Sequence, residues 1–146
     1  MSHNIDFQYT YTSGDSWASG CISTEHQTFE FTCSYLFHNP FEELLNAVYQ
    51  IVPNLAAFPR KEIHFTMLDE PLEYRWEFRL IDDTHVRINI YEKVYDSKTK
   101  LVFQDNCNLF SLLKALTKCI ANNPELRGNE NIERINKEFK VYLKNG

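Results

Sequence analysis

Glycine is scarce in this chain of 146 residues, at only four positions. That leaves little material for a loop that cradles phosphate, and neither a P-loop nor a dinucleotide fingerprint occurs. No stretch approaches the ~18 apolar residues needed to cross a bilayer. The opening Met1-Ser2-His3-Asn4 lacks the basic and apolar regions of a signal peptide, so a cytoplasmic location is expected. Lys and Arg form no cluster. Fifteen of them stand against 20 acidic residues, for a net charge of −5 and a pI near 5.5. Without a basic footprint to displace counterions, neither nucleic acid nor an anionic membrane is an expected partner. The negative balance favours encounter with a basic partner instead.

Cysteine is also sparse. Cys21, Cys33, Cys107 and Cys119 form no C-x-x-C pair and have no histidine at ligand spacing, so the zinc templates fail and no metal is expected. Cys33 and Cys119 lie in apolar patterns, where a reduced thiol behaves as a small hydrophobe. There is no G-x-S-x-G elbow. A Cys–His dyad needs partners adjacent in space, which spacing leaves open, but no Asn or Asp orienter can be assigned to Cys21, the cysteine near turn signals. Among the five histidines no two stand at i, i+4, and His64 shares the parity of Thr66 on the solvent side of its strand. No catalytic residue and no cofactor site are assigned.

What is present is aromatic and apolar. Eleven Phe, eight Tyr and two Trp make 14% of the chain, which points to a sheet-rich core. Hydrophobic residues reach 43% and charged ones 24%, ordinary values for a globular domain. A chain of this length hides about 68–70% of its unfolded surface and needs no staples. One domain over residues 1–146 is expected.

Period-two alternation marks the strands. Phe7, Tyr9 and Tyr11 alternate with polar residues, Ser13-Gly14-Asp15 makes a turn, and Trp17 to Ser23 returns. Thr28 to Tyr35 follows, with Phe29, Phe31, Cys33 and Tyr35 on one face. Asn39-Pro40-Phe41-Glu42 then announces a helix, with Asn39 as N-cap, Pro40 at the first position and Glu42 reaching back in a capping box. Its apolar stripe is Leu44, Leu45, Val48, Ile51 and Val52. Strands return around Ile63–Met67, Tyr74–Leu80, Val86–Ile90 and Lys100–Gln104, joined by turns at Asp69-Glu70-Pro71, Asp82-Asp83 and Asp96-Ser97-Lys98. A helix capped by Asp105 or Asn106 carries Leu109 to Ile120, and a last one starts near Asn129 or Asn131. The order βββ-α-ββββ-αα, with hairpin connections, predicts an α+β domain. Its simplest form is a single antiparallel sheet of six to seven strands with two to three helices packed on it.

Two surface features could bind a partner. The acidic turns Asp69-Glu70 and Asp82-Asp83, with Glu73 nearby, read as solvated turns or as loops offered to a cationic partner. Glu73, Arg75, Glu77 and Arg79 form a charged ladder on the outward face of one strand, and Tyr91 joins them on the parity of Arg87 and Asn89. That ladder is a solvated sheet face or a mixed-charge platform, where Arg and Tyr are favoured anchors.

Several segments together carry a resemblance. Phe31-Thr32-Cys33-Ser34-Tyr35-Leu36 runs into Pro40-Phe41-Glu42-Glu43-Leu44-Leu45. Next come Asp69-Glu70-Pro71-Leu72-Glu73-Tyr74-Arg75-Trp76-Glu77-Phe78 and Val86-Arg87-Ile88-Asn89-Ile90. Cys107-Asn108-Leu109-Phe110-Ser111-Leu112-Leu113-Lys114-Ala115-Leu116 completes the series. Over roughly residues 28–120 the chain resembles bacterial immunity proteins of the polymorphic-toxin, or contact-dependent growth inhibition, type. The resemblance implies a cytoplasmic binding protein and no enzyme. Its partner would be a cognate protein toxin such as a nuclease, neutralised by stoichiometric occlusion. Asp69, Glu70, Glu73, Arg75, Glu77, Asp82, Asp83 and Tyr91 are the candidate partner-binding residues. A small-molecule module with a pocket between sheet and first helix is the alternative, followed by a small enzyme using His, Cys or carboxylates.

Overall fold

The computed structural model describes residues 4–12, 14–94 and 98–145; Ser13 of the first expected turn and Asp96 and Ser97 of the last lie outside them. Strands β1 (Ile5–Thr10), β2 (Trp17–Thr24) and β3 (Thr28–Ser34) make one antiparallel sheet. Strands β4 (Glu62–Asp69), β5 (Leu72–Asp82), β6 (His85–Val94) and β7 (Lys100–Asn108) make a second. Helix α1 (Pro40–Ile51) connects the sheets. Helices α2 (Leu109–Ala121) and α3 (Glu130–Asn145) follow β7, with a 3-10 turn at Pro124–Gly128 between them.

The element order is as expected, but the single sheet is not. Two sheets form, of three and four strands, each in sequential order. The reason lies in the alternation. Each group of strands has one largely apolar row, and burying both rows against each other removes more apolar surface from water than placing seven strands abreast. The rows meet at Trp76, which is fully buried: its ring lies 5.3 Å from Phe31 and 6.5 Å from Phe7, centroid to centroid. From β4, Phe65 stacks on the same indole at 5.8 Å. Helix α1 adds Phe41, fully buried and 5.0 Å from the ring of Tyr9. Near that contact Tyr9 and Tyr35 share a hydrogen bond of 2.6 Å between hydroxyls, and Cys33 Sγ lies 3.5 Å from the Tyr9 oxygen.

The caps explain where the helices start. Asn39 Oδ1 accepts from the Glu42 amide at 3.0 Å, as its N-cap position requires. Glu42 does not close a capping box. Its two carboxylate oxygens accept instead from Asn129 Nδ2 and Asn131 Nδ2, both at 2.9 Å, tying α1 to the start of α3. Asn129 caps that helix, accepting from the amides of Asn131 and Ile132. The cap of α2 is Asn108, accepting from the Ser111 amide at 3.2 Å, and neither Asp105 nor Asn106 serves. Asp105 is committed elsewhere: Thr24 Oγ1 donates to it at 2.5 Å and His26 Nδ1 lies 3.2 Å away. Strand β7 therefore runs to Asn108 and passes into α2 with no intervening loop.

Candidate functional site

The outer face of the four-stranded sheet is built by register. Thr66, Arg75, Tyr91 and Leu101 stand abreast across the strands, and His64, Glu77, Asn89 and Gln104 form the next row. Glu73 lies opposite Lys93 on β6. Inward residues of the same strands, Trp76, Phe78, Ile88 and Ile90, are buried, so the outward side chains stand on a rigid support. His64 is exposed, on the solvent side where its parity put it.

Glu73, Arg75, Glu77 and Tyr91 line one open depression of about 450 Å³, together with Thr66, Lys93 and Thr99. Half of the candidate set is thereby gathered in one place. Lys93 is not among the candidates named from the sequence, although it continues the outward parity of Arg87, Asn89 and Tyr91. Arg75 Nε lies 3.3 Å from Glu77 Oε2. Arg79 stands outside the depression, where Nε and Nη2 donate to Glu62 Oε2 at 3.2 and 2.9 Å. Exposed pairs of this kind contribute about 0–1 kcal/mol, so they fix little and can exchange for a partner's charges at small cost.

The acidic turns do not join this site as one group. Asp69-Glu70 and Asp82-Asp83 cap opposite ends of β5, an eleven-residue strand. At ~3.3 Å per residue the two turns lie roughly 30 Å apart. Asp69 has the inward parity and reaches the other sheet, where Thr32 Oγ1 donates to its carboxylate at 2.7 Å. Glu70 is exposed in the turn. Asp82 Oδ1 accepts from the amide and hydroxyl of Thr84 at 2.8 and 3.0 Å and lies 3.1 Å from His85 Nδ1. The Thr84 amide, then His85 and the Thr84 hydroxyl, hold the Asp82 carboxyl down to about 2. Asp83 is exposed beside it.

A second open depression, about 460 Å³, lies on the three-stranded sheet, lined by Gln8, Ser19, Cys21, Glu30, Thr32 and the Asp69 rim among others. Neither depression lies between a sheet and α1, where a small-molecule pocket was expected. Among the described residues no cluster of His, Cys, Asp and Glu has the makings of a metal site. Burial pushes the Cys33 thiol up to about 11 and those of Cys107 and Cys119 to about 12, so each is protonated at neutral pH and a poor nucleophile. Cys21, only half-buried, is also raised, by burial first and then by Glu30 and Asp6. What the four-stranded face offers chemically is exchangeable charge and an aromatic on a stiff support. No described helix is long and apolar enough to cross a membrane.

No family model matches the chain, and no curated protein does. Among solved structures the chain is similar to one titled "CdiA-CT/CdiI toxin and immunity complex from Enterobacter cloacae". The match has a TM-score of 0.46 and 10% identity, covering 82% of this chain and 99% of that one. Similarity at that level decides neither fold nor function.

Proposed function

We propose that the protein acts by docking, as a stoichiometric inhibitor of a cognate protein toxin, a nuclease being the class whose basic substrate site an acidic chain would fit. Two things support the reading. The first is the sequence resemblance to immunity proteins over roughly residues 28–120. The second, which carries it, is the convergence of Glu73, Arg75, Glu77 and Tyr91 on one open depression above a closed core. Mixed charge around an aromatic on a rigid sheet is the composition of a protein-binding patch. Tyr91 supplies the buried anchor, the charges around it select the partner, and occlusion needs no reacting group.

The test is a titration of the toxin encoded beside this gene against the purified protein. Toxin activity is expected to fall linearly and vanish at a one-to-one ratio, and the association rate to drop as salt rises. An equimolar mixture that leaves the toxin fully active would dispose of the proposal.

A further inference from the structure

Charge is divided unequally along this chain. The first Lys or Arg is Arg60, so all fifteen follow α1, while Asp6, Asp15, Glu25 and Glu30 precede it. The three-stranded sheet is therefore built without a single cation. On its outer face Gln8, Cys21 and Glu30 stand abreast, and Thr10, Ser19 and Thr32 form the next row. The depression of about 460 Å³ lies over these rows, with Asp69 from the other sheet at its rim.

Trp17 shares the outward parity of Ser19 and Cys21 and is 45% exposed. It borders a shallower hollow with Asp15 and Thr32. Its partner in the ladder, Ser34, ends β3, and just beyond it come Leu36 and Phe37, exposed at 61% and 74%. Among the described residues lining the two hollows there is no Lys or Arg. The charges lie close together: Glu30 stands opposite Cys21 across β2 and β3, and Asp6 is the next outward residue along β1 from Gln8, which faces Cys21 from the other side. Within a Debye length of about 8–10 Å, such carboxylates add rather than act singly.

We propose that this face is a second docking surface, and that its occupant is a lysine- or arginine-rich surface of a protein, seated on Trp17 and steered by Asp6, Glu30 and Asp69. An apolar anchor with a charged rim is the anatomy of a protein interface. A basic surface meets attraction and, among the described residues lining the hollows, no like charge, whereas an acidic one would be repelled. The surface goes beyond the neutralisation reading and does not depend on it.

The two tryptophans make the test direct. Trp76 is fully enclosed, so quenching by neutral acrylamide reports Trp17. The full-length protein is mixed with a decalysine peptide at low salt, with decaglutamate as the control. Decalysine is expected to shield Trp17 from acrylamide, and decaglutamate is not. Raising salt from 20 to 200 mM should weaken the shielding about ten-fold or more. The double variant Asp6→Lys, Glu30→Lys should lose it, and the milder Asp6→Asn, Glu30→Gln should weaken it several-fold with an unchanged melting curve. Glu133→Lys, on the exposed side of α3, should leave it intact. Decalysine binding that leaves Trp17 quenching unchanged, or that Glu133→Lys reduces more than the Asp6 and Glu30 variants do, would overturn the proposal.

Discussion

The side-chain amide of Gln27 pairs with both backbone groups of Gln104: its Nε2 donates to the Gln104 carbonyl at 2.6 Å, and its Oε1 accepts from the Gln104 amide at 3.1 Å. Strand β7 is an outer strand of its sheet, and outer strands leave backbone groups open to pairing with another chain. Gln27, from the turn between β2 and β3, takes the place that a further strand would occupy. The Thr24 and His26 contacts to Asp105 lie beside it, so this turn clamps the two sheets together.

Gln27→Ala is expected to destabilise the fold by about 1 kcal/mol, since the contact is exposed and water can replace part of it. The backbone amide of Gln104 should exchange faster than its neighbours in the variant. Urea unfolding and hydrogen exchange measure the two effects. An unchanged exchange rate at Gln104 would show that the clamp does not protect the edge.

Gly20 is where Phe31 lies across β2. A Cβ there would come within 2.5 Å of Phe31 Cζ and 2.8 Å of the Gln8 carbonyl oxygen. The second atom is backbone and cannot swing away. Gly20→Ala should therefore cost about 1–3 kcal/mol, the range for overpacking a core, despite the higher strand propensity of alanine. A midpoint in urea equal to that of the parent would refute this.

Much of the fold is legible from alternation and caps. Asn39-Pro40 places α1, and Phe65, Trp76, Phe78, Ile88 and Ile90 declare the buried face of the second sheet. How strands divide between sheets is not legible, because period two says which side is apolar and nothing about what covers it. Asp105 illustrates a different limit. It has the chemistry of an N-cap, but long-range bonds from Thr24 and His26 claim it, and Asn108 takes the cap. For the site, strand parity puts Glu73, Arg75, Glu77 and Tyr91 on one face, where they line one depression. Local acidity does not reveal that the two turns stand at opposite ends of β5, since nothing in a run of carboxylates tells which end of a strand faces which neighbour.

The acid limb of stability should carry the mark of Asp82. Its carboxyl is held down to about 2 in the fold, below the ordinary carboxylate value of 3.8. A depressed value stabilises the folded state above the ordinary one, and the contribution fades as pH falls from about 4 through about 2. Carboxyl NMR should find Asp82 titrating at about 2, below the ordinary carboxylate value. Asp82→Asn should flatten the stability profile in that window and leave its shape above pH 5 unaltered. A titration of Asp82 near 4 would contradict the hydrogen bonding described.

The platform residues should matter to binding and little to folding. Arg75→Glu and Glu73→Lys are each expected to change stability by no more than about 0.5 kcal/mol, because both side chains stand on the outer face of the sheet, away from its core. The same changes should alter the association rate with a protein partner, most at low salt. Stopped-flow association at two salt concentrations separates the outcomes. Rates that do not move with either reversal would exclude this face from the encounter.

Because β7 becomes α2 at a single peptide bond, the sheet dictates the rotational phase of the helix. One extra residue between Asn108 and Leu109 would turn α2 by roughly 100° and swing Leu112, Leu113 and Leu116 out of their packing. The tip at Asp83-Thr84 is tied to the same junction, where the Leu109 amide donates to the Thr84 carbonyl at 2.8 Å. Length variation, whether from natural drift or from a grafted tag, is thus forbidden at the junction, which makes it the natural anchor for aligning distant relatives.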